Sequence, residues 1–73
     1  MAISYNKLWK LMIDKKIKRT ELMELSGIST NVLAKLGHDE SVSMDSVEKI
    51  CKVLNCDIGD VMEIINEDQT STL

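Results

Sequence analysis

The chain has no proline and only three glycines. These two residues mark most of the turns in β-sandwiches and barrels, so their scarcity argues against a turn-rich β fold and favours a bundle of short helices. An apolar content of 44 % is ordinary for a folded protein and argues against wholesale disorder. With 73 residues, the chain has room for one domain with a modest core.

Long apolar runs are also absent, since no stretch approaches the roughly 18 residues that a membrane helix needs. The first residues, "MAISYNKLWKLMIDKK", lack the apolar segment and cleavage site of a signal peptide. We therefore expect a cytoplasmic protein with no membrane contact. Cys51 and Cys56 fit a reducing compartment, and their spacing matches no zinc pattern, so neither a metal nor another cofactor is expected.

Catalytic groups are equally scarce. His38 is the single histidine, and no candidate nucleophile lies near it in sequence. Catalysis needs a base, an orienting partner and a pocket, which a chain this small does not offer. The sequence predicts that the protein is not an enzyme.

Charge is distributed unevenly along the chain, although its net value is only −3. Residues 1–37 carry seven basic and three acidic side chains, a balance of +4, whereas residues 38–73 carry two basic and nine acidic ones, a balance of −7. Such asymmetry indicates a basic side that faces a polyanion. A solvated charged surface without a partner is the other interpretation that the charges allow.

Apolar residues recur three or four positions apart and predict five helices. The first follows Ser4, and the fourth and fifth follow the N-cap residues Ser43 and Asp57. Approximate ranges are 5–16, 19–26, 30–36, 44–54 and 58–65. Leu22 and Leu25 are expected to face inward from the second helix. Residues 66–73 have nothing to bury and are predicted to form a flexible tail.

The fifth predicted helix opens with a capping box formed by Asp57 and Asp60. Its inward face would hold four apolar residues, namely Ile58, Val61, Met62 and Ile65. Ile64 is left over beside them, which is ordinary for a surface residue but also suits a contact between two copies. Ile64 and Ile65 are the predicted dimer contact.

The segment "LSGISTNVLAKLG", residues 25–37, joins the second and third helices with almost no linker. Gly27 ends the first of them in a left-handed conformation, Ile28 fills the junction, and Ser29 caps the next. So short a connection forces a steep crossing, as in a helix-turn-helix. The third helix then directs four residues outward: Thr30, Asn31, Ala34 and Lys35.

The three polar side chains among them, those of Thr30, Asn31 and Lys35, suit the floor of the DNA major groove. Asn forms bidentate hydrogen bonds with adenine, Thr touches a thymine methyl or donates a hydrogen bond, and Lys reaches guanine or phosphate. The positive end of the helix dipole at Ser29 favours a nearby phosphate.

The segment "RTELMELSGISTNVLAKLG" resembles the helix-turn-helix of the Cro/C1-type (XRE-like) DNA-binding regulators. The wider chain, about residues 3–65, is similar to the minimal single-domain branch of that family. The resemblance implies an all-α, five-helix Cro/C1 repressor-like domain over residues 1–65, with the helix-turn-helix at about 19–36. It also implies a sequence-specific transcriptional regulator that inserts its third helix into the major groove of double-stranded DNA and binds as a homodimer.

The resemblance also implies roles for individual residues. Those that fall on base-reading positions are Thr30, Asn31 and Lys35, with Val32 adding a methyl contact. Those that fall on phosphate-contact positions are Lys18, Arg19 and Ser29. Trp9 is interpreted as core or partly exposed helix surface, with a partner-facing role as the alternative.

Two features depart from the family pattern. Met23 stands where an alanine usually allows close helix approach, and the loop after the third helix reads "HDES" where it is often basic. Asp39 and Glu40 are therefore expected to weaken DNA binding, and His38 is left out of the contact set.

A protein-interaction adaptor is the alternative function. In that hypothesis the acidic second half docks another regulator or a toxin, and DNA contact is minor. The same acidic half could, in a regulator, contact the transcription machinery.

Overall fold

The computed structural model describes residues 2–65, so the predicted tail, residues 66–73, lies outside the described residues. Four α-helices, one 3-10 turn and two short strands follow one another. Their bounds are β1 Ala2–Ser4, α1 Asn6–Lys15, α2 Arg19–Ser26, α3 Thr30–Gly37, α4 Met44–Leu54, the 3-10 turn Ile58–Asp60 and β2 Glu63–Ile65. The mostly helical fold class is confirmed.

Helix α1 begins one residue later than predicted. Tyr5 occupies the N-cap position, and Ser4 ends strand β1 instead. The Ser4 hydroxyl still accepts a hydrogen bond from the backbone N–H of Asn6 at 3.3 Å. Lys16 ends the helix with a φ of 58°, and its N–H donates to the carbonyl of Ile13.

A single core joins the four helices and the 3-10 turn. Its buried apolar members come from every helix and from the end of the 3-10 turn: Tyr5, Leu8, Met12, Leu22, Ile28, Leu36, Ile50, Leu54 and Val61. The prediction that Leu25 faces inward is wrong, because its side chain is 65 % exposed. Helix α2 is only eight residues long and buries Leu22 alone. The stripe that reaches the core is therefore narrower than the apolar pattern indicated.

The predicted fifth helix is not observed. The capping box is present, since Asp57 accepts from the N–H of Ile58 at 2.9 Å and Asp60 accepts from the N–H of Asp57 at 3.1 Å. It opens only a 3-10 turn, after which the chain becomes strand β2. Isoleucine favours strands, and pairing with β1 satisfies backbone groups that a short terminal helix would leave to solvent.

Strands β1 and β2 form an antiparallel pair that brings the two ends of the described chain together. Ala2 lies opposite Ile65, Ile3 opposite Ile64, and Ser4 opposite Glu63. Instead of the expected inward face, only Val61 of this segment is fully buried. Ile64 and Ile65 are 59 % and 41 % exposed, and Ile58 is 39 % exposed.

Side chains of α1 hold the C-terminal segment in place. Lys7 donates to the carbonyl of Gly59 at 3.3 Å, and its Nζ lies 3.9 Å from an oxygen of Glu63. The salt bridge is half-exposed and contributes little by itself. Val61 therefore supplies the main anchor, because its side chain is fully buried.

The acidic loop after α3 is tied to the start of α1. The Asp39 carboxylate accepts from the backbone N–H of Tyr5 at 3.2 Å, and the Tyr5 hydroxyl donates to the carbonyl of Glu40 at 2.7 Å. A carboxylate is favoured at a helix N-terminus, where the dipole is positive. The negative charge of Asp39 thus stabilises the start of α1, a role that the acidic composition of the loop did not indicate.

No helix within residues 2–65 is long and apolar enough to cross a membrane. Cys51 in α4 and Cys56 just after its C-cap are free, half-buried thiols. Burial raises the pKa of Cys51 from 9.0 to about 11, and the neighbouring thiol of Cys56 and the carboxylates of Asp57 and Asp60 add to the effect. The raised pKa keeps this thiol protonated and poorly nucleophilic near neutral pH.

Stability should therefore decrease between pH 9 and about 11. The unfolded chain loses the Cys51 proton near pH 9.0, whereas the folded chain holds it to about pH 11, so rising pH favours unfolding across that window. Urea unfolding followed by circular dichroism measures the change. Cys51→Ala should flatten the decrease in this window, and equal slopes for the two proteins would contradict the assignment.

Candidate nucleic-acid interface

The turn between α2 and α3 has the geometry that its sequence predicts. Gly27 adopts a φ of 79°, and its N–H donates to the carbonyl of Met23 at 2.9 Å. The Ser26 hydroxyl donates to the carbonyl of Leu22 at 2.6 Å. Ile28 is buried in the core. The turn is thus stabilised by the hydrogen bonds of Gly27 and Ser26 and by the burial of Ile28.

Helix α3 starts as predicted, because the Ser29 hydroxyl accepts from the N–H of Val32 at 3.2 Å. Its inner face places Leu36 in the core and packs Val32 and Leu33 partly against it. Met23 also packs partly against the core, so α2 accommodates methionine where the family pattern has alanine.

The outer face of α3 carries the predicted base-reading side chains. Thr30, Asn31 and Ala34 are exposed, whereas Lys35 is half-buried. Thr30 and Ala34 are one helical turn apart, as are Asn31 and Lys35, so they form two adjacent rows. The predicted methyl contact, Val32, is half-buried at the edge of this face.

The predicted phosphate contacts sit at two helix N-termini. Ser29 caps α3, Arg19 is the first residue of α2, and Lys18 precedes it as the N-cap. The backbone N–H of Lys18 donates to the Glu21 carboxylate at 2.9 Å. All three of these candidate phosphate-binding side chains are exposed.

None of the candidate cations is neutralised within the described residues. The ion pairs found there join Lys7 to Glu63 and Lys49 to Asp45. Lys18, Arg19 and Lys35 take part in neither. The positive charge of this surface is therefore available to an external anion.

A depression beside α3 contains residues that the sequence did not connect. It is lined by Arg19, Thr30, Leu33, Ala34, Gly37 and His38. The Arg19 guanidinium also lies over the ring of Trp9, with its central carbon 4.0 Å from the ring centroid. Spacing along the chain gave no sign of either feature, because both depend on how α1, α2 and α3 pack.

Metal binding has no support in the part of the chain that the structure describes. No group of three or more His, Cys, Asp or Glu side chains is close enough there to hold an ion.

A tightly connected helix pair with an exposed polar second helix and cations at the N-terminus of the first defines a helix-turn-helix DNA-binding domain. Residues 7–67 match the Cro/C1-type HTH DNA-binding domain family, and the chain belongs to that family. The family and the fold are those of transcriptional regulators and not of enzymes.

Two relatives agree with this assignment. The chain is 32 % identical over 62 residues to the uncharacterized HTH-type transcriptional regulator YozG of Bacillus subtilis (strain 168), covering 82 % of this chain and 74 % of the relative. The chain also shares 50 % sequence identity with the transcriptional regulator VanUg, whose crystal structure is known. That match covers 90 % of this chain and 88 % of the other, with a TM-score of 0.86.

Gly27→Ala should destabilise the domain by about 1–2 kcal/mol, because a side chain disfavours the left-handed conformation. Gly37→Ala is the matched control. Its φ is not positive, and an added methyl would lie 3.5 Å from Nη1 of Arg19, an ordinary contact distance. Urea unfolding of both variants measures the difference, and equal losses would show that the turn conformation is not the cause.

Proposed function

We propose that the chain is a sequence-specific regulator that inserts α3 into the DNA major groove. The main observation is the outer face of α3, where Thr30 and Asn31 are exposed and the unneutralised Arg19 lines the same depression as Thr30. An exposed polar helix is common, but one that has a hydroxyl cap at its own N-terminus and cations at the start of the preceding helix matches what DNA offers: base edges between two rows of phosphates.

Base reading falls to the N-terminal half of α3. Asn31 is the principal reader because its exposed amide can form two hydrogen bonds with adenine. Thr30 lies beside it, and Lys35 extends from the next turn toward guanine or phosphate. Val32 is half-buried and can add an apolar contact with a thymine methyl.

Phosphate contacts position this helix. The hydroxyl of Ser29 and the first N–H groups of α3 can bind one phosphate, favoured by the helix dipole. Lys18 and Arg19 extend from the start of α2 toward another. These contacts raise affinity for any sequence and supply no discrimination.

Dimer formation through β2 completes the proposal. Ile64 and Ile65 are exposed there, and β2 pairs with β1 on one edge only, among residues 2–65. An antiparallel second copy can pair with the same strand by a two-fold axis. Two recognition helices would then read half-sites about 34 Å apart.

Contact between the acidic second half and the transcription machinery stays a prediction.

Asn31→Ala should weaken binding to the best site by about 1–3 kcal/mol and relax specificity at one base pair. Lys18→Ala should instead weaken binding to every duplex and lower the slope of log K against log salt by about one. Fluorescence anisotropy with a specific and a scrambled duplex measures both effects.

Lys10→Ala is the matched control for the loss of one positive charge. Lys10 is exposed on α1, lines a depression with Gly59 and Asp60, and does not line the depression beside α3. It should change affinity less than Lys18→Ala. An equal loss for Asn31→Ala on both duplexes would remove Asn31 from the readers.

Selection from random duplexes at about 50 mM salt tests the whole proposal, because low salt preserves the phosphate contribution. We expect an enriched palindrome, with sedimentation showing two chains per duplex. An enriched asymmetric site would retain DNA reading and remove the symmetric dimer. Retention no better than that of a neutral protein would contradict DNA binding and favour the adaptor.

A further inference from the structure

The guanidinium of Arg19 is held by an aromatic ring. Its central carbon lies 4.0 Å from the centroid of the Trp9 ring, well within the range of a cation–π contact. Trp9 belongs to α1 and packs partly against the core. The indole is therefore anchored by the fold, while the exposed Arg19 rests on it.

Gly37 borders the same guanidinium from α3. A Cβ atom at Gly37 would lie 3.5 Å from Nη1 of Arg19. The Arg19 side chain thus starts on α2, crosses the ring on α1 and ends beside the last residue of α3. There it lines the depression that also contains Thr30 and His38. Its charge is placed next to the outer face of α3.

An aromatic partner differs from a carboxylate in one decisive respect. A salt bridge would orient Arg19 but would also neutralise it, whereas an indole ring orients the cation and leaves its charge and its N–H donors free. Arg19 belongs to neither of the ion pairs found between residues 2 and 65. It is consequently both restrained and still cationic.

This restraint affects affinity, because an unrestrained arginine side chain loses much conformational entropy when it binds a ligand. A guanidinium already stacked in its binding position loses less. We infer that Trp9 is a positioning residue, which holds Arg19 ready for a DNA phosphate beside Thr30 and Gly37. This inference rests on the proposed DNA binding and adds a residue of α1 to the determinants of affinity.

A double-mutant cycle on the full chain tests the inference, with fluorescence anisotropy on a generic duplex two helical turns long. Trp9→Leu keeps an apolar side chain but removes the ring face. It should weaken binding by about two- to five-fold, whereas Trp9→Phe should retain most of the affinity. In the Arg19→Gln background, Trp9→Leu should have no further effect.

The salt dependence separates positioning from simple loss of stability. Arg19→Gln should lower the slope of log K against log salt by about one, and Trp9→Leu should lower it in the same direction. Thermal unfolding identifies the temperature at which every variant is folded, and binding is measured there. The same loss for Trp9→Leu with and without Arg19, or an unchanged affinity, would overturn the inference.

Nuclear magnetic resonance of the wild-type chain gives a test that needs no variant. The δ-protons of Arg19 should be shifted upfield by the indole ring in the free protein. They should remain so when the generic duplex is added, while the Nε–H proton moves downfield on binding phosphate. Loss of the ring shift in the complex would show that Arg19 leaves Trp9 to bind, which overturns the inference.

Failure of the proposed function has a different signature. If the wild-type chain binds no duplex even at low salt, DNA binding itself is wrong, and the inference falls with it. If the chain binds DNA and Arg19→Gln changes neither affinity nor salt slope, the proposed function stands and the role of Trp9 does not.

Discussion

The apolar contact shared by Leu22, Ile28 and Leu36 is the interaction on which the rest of the domain depends. Helices of eight residues, such as α2 and α3, are not stable alone in water, so burial in a common core has to hold them. Each of these helices places one leucine fully in that core, and Ile28 fills the turn between them. The orientation of α3 relative to α2 therefore follows from core packing.

Charge is used in two ways within this small chain. Several acids of the second half have partners within the fold: Asp57 and Asp60 cap the 3-10 turn, Asp45 pairs with Lys49, and Asp39 accepts a hydrogen bond from the start of α1. The candidate cations at the start of α2 have no such partner within the described residues. Net charge alone thus misrepresents the chain, because the surface beside α3 is basic while the total is negative.

The ends of the described chain support the interface indirectly. Strand β2 lies against β1, which leads directly into α1, and α1 carries the indole that contacts Arg19. The loop after α3 returns to Tyr5 at the start of that same helix. Helix α1 is therefore in contact with both ends of the helix-turn-helix, although it contributes none of the proposed base-reading side chains.

Local chemistry in the sequence determined the caps and turns. Gly27, Ser29 and Ser43 act as predicted, because each satisfies backbone groups within a few residues of itself. The bounds of α2 and the exposure of Thr30 and Asn31 followed from the same local rules.

Tertiary structure decided what depends on distant partners. Residues 63–65 form a strand because Ala2–Ser4 lies beside them, and Leu25 is exposed because the core reaches only one side of α2. Trp9 and Arg19 meet through the crossing of two helices. The spacing of apolar residues along the chain indicates whether one segment is a helix or a strand, but it does not indicate which segments will contact each other.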